Sequence, residues 1–261
     1  MSTNQEKLNK QLLNVVADEN VSDEARLKKV KYLVYLGADV NATDEYCQTA
    51  LIVSACNGHL EVVKYLVRLG VDVNASDKYG QTALMVSVCT GHLEVVKYLG
   101  EHGADVHQKN EDGRTALMFA AYNGQLEAVK YLAEGGADLE ASDKYGKTAL
   151  MTASEYGHLE VVKYLAQGGA DLEASDKYGH TVLMVAAYNG HLEVVKYLAQ
   201  NGADLEAKDE TGMTALMKVA RIWKRYDCLK FLEEAQKKNS AQRTKGDKTG
   251  GSQIVKKNEG R

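Results

Sequence analysis

Apolar residues along this chain fall into short stripes rather than long runs. Between Thr148 and Leu165, Ala149-Leu150-Met151 opens one apolar block, and Leu159, Val162 and Leu165 form a second at i, i+3 spacing. That spacing puts the three side chains on one face of a helix. Thr148 stands just before the first block, where its hydroxyl can accept from the orphan amides of a short helix. The same residue recurs at Thr49, Thr82, Thr115, Thr181 and Thr214. Gly157 between the blocks predicts a left-handed stop, and Gly169 ends the second helix in the same way. Glu160 and Lys163 lie three apart on the wet side of that helix, as do Glu61/Lys64, Glu94/Lys97, Glu127/Lys130 and Glu193/Lys196. Each is a modest ion pair.

The pattern is periodic. Gly-Ala-Asp, once Gly-Val-Asp, begins at Gly37, Gly70, Gly103, Gly136, Gly169 and Gly202, always 33 residues apart. Two helices this short cannot bury their stripes alone, so successive units must stack into a solenoid with one continuous core. The text from Asp143 to Ser175, DKYGKTALMTASEYGHLEVVKYLAQGGADLEAS, resembles the ankyrin repeat. The resemblance covers about six copies plus an aberrant first one. It implies an all-α ankyrin-repeat solenoid of stacked helix-turn-helix units linked by β-turn or hairpin-like loops. Whole units are expected at 44–76, 77–109, 110–142, 143–175 and 176–208, with capping units at 1–43 and 209–235. In the first cap, residues 5–17 predict one helix, and Ser22 or Asp23 caps another. In the last, Ile222-Trp223-Lys224-Arg225-Tyr226-Asp227 replaces the Gly-His turn.

Two departures from the family pattern carry physical weight. Thr-Ala-Leu-Met replaces the usual Thr-Pro-Leu-His, so Met85, Met118, Met151, Met184 and Met217 substitute adaptable apolar packing for rigidity. Cys47 stands where a turn glycine is expected, which strains that turn by about 1 kcal/mol if it needs positive φ.

Composition adds an asymmetry. Residues 236–261 carry a net +6 while the other 235 carry −10. The tail is almost devoid of apolar residues and is expected to be disordered. A plain solvated tail is the preferred reading, with nucleic acid, an anionic surface or an import receptor as alternatives. No apolar run reaches the ~18 residues of a membrane span, and the N-terminal residues lack the pattern of a secretion signal. Cys47, Cys56, Cys89 and Cys228 show no metal-ligand spacing. These features predict an intracellular protein, cytoplasmic with the nucleus also open, with free thiols.

Internal variation points to a site. Between 143–175 and 176–208 most changes fall from the turn to the end of the first helix: Lys147/His180, Ala149/Val182, Thr152/Val185, Ser154/Ala187, Glu155/Tyr188 and Tyr156/Asn189. The second helices are identical, LEVVKYLAQ in both. The resemblance implies that this same strip, turn tips plus first-helix ends, lines a concave groove that holds a protein partner. Carried onto this chain, it offers Tyr46 and Gln48, then Lys78, Tyr79, Gln81 and Lys109. Next come Arg114, Tyr122 and Asn123, followed by Lys144, Tyr145, Lys147, Glu155 and Tyr156. The far end supplies Lys177, Tyr178, His180, Tyr188, Asn189 and Lys208, and the cap Arg221 and Trp223. Seven of the fifteen tyrosines lie on this strip, and Tyr, Trp and Arg dominate binding hot spots. Lys and Arg outnumber Asp and Glu there, so the expected partner is a protein with acidic patches and exposed apolar anchors.

Other readings of recurring residues are structural. Tyr65, Tyr98, Tyr131, Tyr164 and Tyr197 on the second helices are assigned to inter-repeat packing. The tip tyrosines Tyr46, Tyr79, Tyr145 and Tyr178 should not form one cage, because neighbouring units stand ~10 Å apart. His59, His92, His158 and His191 match no zinc spacing and are read as capping the inter-helix turn. Asp44, Asp77, Asp143, Asp176 and Asp209 head turns whose amides their carboxylates can accept. No nucleophile–base pair or phosphate loop is legible, so no catalysis, metal, cofactor or small-molecule substrate is expected. An interaction scaffold or adaptor is the leading reading. A regulatory or inhibitory subunit docking on an enzyme, or tail-mediated binding to nucleic acid or an anionic surface, is the alternative.

Overall fold

The computed structural model describes residues 3–221 and 225–250, with side chains given as far as Ser240. Among them fourteen helices run in seven pairs. The first helices are α1 (Asn4–Ala17), α3 (Ala50–Cys56), α5 (Ala83–Thr90), α7 (Ala116–Tyr122), α9 (Ala149–Glu155), α11 (Val182–Asn189) and α13 (Ala215–Ala220). The second helices are α2 (Asp23–Tyr35), α4 (Leu60–Arg68), α6 (Leu93–Glu101), α8 (Leu126–Glu134), α10 (Leu159–Gln167), α12 (Leu192–Gln200) and α14 (Tyr226–Gly250). First helices touch first helices and second touch second, so the stack has two layers. Among the described residues the only β-structure is three isolated bridges, Thr43–Thr49, Ser76–Thr82 and Ser175–Thr181.

Each short first helix is held at its start by the predicted threonine. The hydroxyls of Thr49, Thr82, Thr115, Thr148, Thr181 and Thr214 accept from the amides three residues on, at 3.2–3.4 Å. Each cap is worth about 1 kcal/mol. Leu51, Leu84, Leu117, Leu150 and Leu183 form a buried column beside Met85, Met118, Met151 and Met184. Met217 is half-exposed, because no first helix lies beyond α13 among the described residues. On the second helices Val162 and Leu165 are fully buried as the stripe predicts, joined by Val161, while Leu159 sits at its half-buried margin. The Glu–Lys pairs form at 2.7–3.5 Å.

The second-helix tyrosines pack between units. All five are partly buried against the core, and the Tyr131 hydroxyl donates to the Lys97 carbonyl oxygen of the preceding unit at 2.9 Å. Tyr32, the matching residue of α2, is 61% exposed, since no helix pair lies on its outer side among the described residues.

Between the helix pairs the turn tips are joined by main-chain bonds. The amides of Lys78, Glu111, Lys144, Lys177 and Glu210 donate to the carbonyl oxygens of Tyr46, Tyr79, Asp112, Tyr145 and Tyr178, at 2.8–3.2 Å. The tip glycines permit this approach. At Gly146, where φ is +82°, a Cβ would stand 3.0 Å from the Lys177 nitrogen. Cys47 occupies the matching place with φ 59°, the one non-glycine in the left-handed region among the described residues. The strain anticipated from sequence, about 1 kcal/mol, is therefore present.

Two sequence expectations differ from the structure. The histidines precede the second helices but make no side-chain cap there. Instead, the rings of His92, His158 and His191 reach back to the carbonyl oxygens of Cys56, Tyr122 and Glu155 at 2.8–3.1 Å. They lie against Gly58, Gly124 and Gly157, where any Cβ would collide with the ring. They staple one unit to the next. The second difference concerns the C-terminal segment. Helix α14 continues to Gly250, through residues 236–250 that composition reads as disordered. Leu232 and the flanking Leu229 and Phe231 anchor its first turns in the core, and no proline follows to break it. Residues 251–261 and the segment 222–224, which includes Trp223, lie outside the described residues.

Candidate functional site

Each turn aims its tip residues through the residue that opens it, an aspartate everywhere except at Asn110, whose Oδ1 accepts from the amides of Asp112 and Arg114 at 3.0 and 2.8 Å. Asp143 Oδ1 accepts from the amides of Tyr145 and Lys147 at 2.8 and 2.9 Å, and Asp176 and Asp209 do the same for Tyr178/His180 and Thr211/Met213. The carboxylates are buried beneath the strip, and their second oxygens face basic side chains. Arg114 Nε stands 3.8 Å from Asp143 Oδ2. His180 lies 3.0 Å from Asp176 and 3.8 Å from Asp209, and Lys218 Nζ lies 2.5 Å from Asp209. Burial alone would raise the Asp209 carboxyl, but hydrogen bonds from Lys218, Thr211 and the Met213 amide outweigh it and hold it far below the usual range.

The seven strip tyrosines are 42–56% exposed. They stand in sharp contrast to the half-buried second-helix set. Tyr122 and Tyr156 meet edge to face with ring centroids 4.4 Å apart. Burial, helped by the neighbouring Glu155 and Tyr122, pushes the Tyr156 hydroxyl up. At the tips, Lys78 lies 3.9 Å over the Tyr46 ring and 5.0 Å over Tyr79, a cation between two rings rather than an aromatic cage.

The remaining strip residues divide by occupation. Lys144 bonds Asp112 at 2.6 Å, which lowers the Asp112 carboxyl and raises the Lys144 ammonium. Lys147 bonds Glu155 at 2.6 Å, and Lys109 donates to the Ser142 carbonyl oxygen at 2.9 Å. The Asn123 and Asn189 amides are turned back onto backbone carbonyls of their own helices, and Asn123 also donates to the Cys89 carbonyl oxygen of the preceding unit at 3.3 Å. Gln48 and Gln81 are half-buried, whereas Lys177, Lys208 and Arg221 are exposed. Arg114, Lys144, Lys147 and His180 thus already face carboxylates of the chain itself, and the excess of free positive charge is smaller than a residue count suggests.

Two clefts open on the strip. One of about 290 Å³ has Met118, Phe119, Tyr122 and Tyr156 in its walls, beside Arg114 and Asp143. The other, about 350 Å³, holds Met184, Val185 and Tyr188 beside His180 and Lys218. Sequence reasoning missed Met118, Phe119, Met184, Val185 and Lys218. Lys218 had left a trace, for it stands where the other units carry Val53, Val86, Phe119, Thr152 and Val185. Among the described residues no cluster of His, Cys, Asp or Glu is arranged to hold a metal, and no helix is long and apolar enough to cross a membrane.

A family model for ankyrin repeats matches three times, over residues 19–110, 102–176 and 168–242. The chain is an ankyrin-repeat protein. Comparison with curated proteins finds no significant match. Ankyrin repeats are in general protein–protein interaction modules, typically non-enzymatic, and the all-helical stack of this ankyrin solenoid accords with that role.

Proposed function

We propose that this ankyrin protein is a non-enzymatic scaffold or adaptor that binds another protein along the strip of turn tips and first-helix ends. The supporting observation is the split among its tyrosines. Five are spent on holding units together, while seven stand about half-exposed in a row on the face whose sequence varies most between units. A half-exposed tyrosine offers a large rigid contact at small entropic cost. The partner carries acidic patches that meet the exposed Lys109, Lys177, Lys208 and Arg221, with apolar anchors for the clefts. The test is affinity purification from the native cell with the wild-type chain and with Tyr122→Ala/Tyr156→Ala/Tyr188→Ala. The triple variant is expected to keep its circular dichroism spectrum and lose the stoichiometric partner. Undiminished capture by a folded triple variant would refute the assignment.

A further inference from the structure

The two clefts have a shared wall, and that wall is an ion pair. Lys147 and Glu155 line both. Their side chains are 28% and 27% exposed and joined at 2.6 Å, so the pair separates the clefts yet remains open to exchange with an incoming charge. On either side the walls are apolar and aromatic, Met118, Phe119 and Tyr122 in one, Met184, Val185 and Tyr188 in the other. Arg114 covers the buried Asp143, so a group approaching the first cleft meets a guanidinium before that carboxylate.

We infer that the occupant is an acidic amphipathic helix of the partner, with apolar residues at i and i+7 in the two clefts and a carboxylate between them that draws Lys147 away from Glu155. This rests on the groove reading and specifies its ligand. The spacing carries the choice. Successive units stand about 10 Å apart at helix-packing distance, and i to i+7 on a helix spans about 10.5 Å on one face. Residues on one face of an extended strand fall at about 7 or 13 Å and match less well. A residue at i+3 or i+4 of that helix lies over the partition, where its carboxylate accepts from Lys147 Nζ in place of Glu155.

The test uses the full chain and three fluorescein-labelled, covalently stapled helical peptides. The first carries Leu at i and i+7 with Glu at i+4, the second has Lys at i+4, and the third moves the second Leu to i+5, off the face. Fluorescence anisotropy is expected to show the first binding about tenfold more tightly than either other, the size of a difference of about 1.4 kcal/mol. Glu155→Gln removes the internal competitor and should tighten the first peptide further. Lys147→Gln should abolish the preference for Glu over Lys while leaving the fold intact by circular dichroism. Equal binding of all three peptides, no binding by any, or weaker binding on Glu155→Gln overturns the inference. The groove reading is judged separately, by whether the triple tyrosine variant loses the native partner.

Discussion

Tyr131 and Tyr122 lie nine residues apart in one ankyrin unit and have opposite fates. Tyr131, on the second helix, is half-buried and gives its hydroxyl to the unit before it. Tyr122, at the end of the first helix, is 44% exposed and touches only the edge of Tyr156 among aromatic partners. The residue type is the same, so side-chain chemistry does not decide the role. What decides it is whether the neighbouring unit stacks over that position. Second helices are pressed against their neighbours and keep one text, while the tips and first-helix ends look outward and vary. Side-chain packing between units is thus concentrated on one face, and the other is left for the recognition proposed above.

That separation fails at one residue, and the largest effect is expected there. Asp209 orders a tip turn and also neutralises Lys218, of which only 9% is exposed. Asp209→Ala should cost about 3 kcal/mol in urea unfolding, because it strands a buried ammonium. Its folded carboxyl lies below its unfolded value, so the stabilisation is complete above about pH 4 and drains away as pH falls further. Wild type should therefore lose stability more steeply in acid than Asp209→Asn. A parallel pair of curves would remove Asp209 from that role.

Next in size is the scaffold itself. Gly157→Ala should cost about 2 kcal/mol, from a left-handed β-carbon and from displacing the His191 ring off the Glu155 carbonyl. His191→Ala isolates the second contribution, about 1 kcal/mol by the same measurement. The smallest effects draw the comparison most finely. Tyr131→Phe should lose about 1 kcal/mol with its hydrogen bond, whereas Tyr188→Phe should stay within about 0.5 kcal/mol. Equal losses for the two would erase the distinction between the faces.

The sequence made the fold legible because each unit writes its own boundaries. A capping threonine, a left-handed glycine and an apolar stripe lie within a few residues of one another, and local physics links them. The positions of the strip tyrosines followed from the same phase. What stayed hidden were contacts reaching across units, 29 to 36 residues away in sequence. A histidine beside Gly58, or Arg114 set against Asp143, has no local signature. Counting charges along the strip therefore overstated its free cations, because the neutralising carboxylates lie in the next turn (Asp143 for Arg114), the preceding one (Asp112 for Lys144) or further along the same unit (Glu155 for Lys147). One covariation within the chain was available. The unit that lacks the histidine places Gln125 over Gly91, and Arg225 takes the matching place over Gly190.

The main-chain bonds between successive tips have a consequence for how this surface can change. An amide and a carbonyl are supplied by every residue but proline, so the joint does not depend on which side chain a tip carries. Lys, Glu and Lys donate in turn to Tyr, Tyr and Asp without altering the link. A duplicated 33-residue segment would thus arrive already fitted to its neighbours at the rim. The proposed binding surface can be lengthened by whole units and rewritten one tip at a time, with neither change requiring compensation in the other.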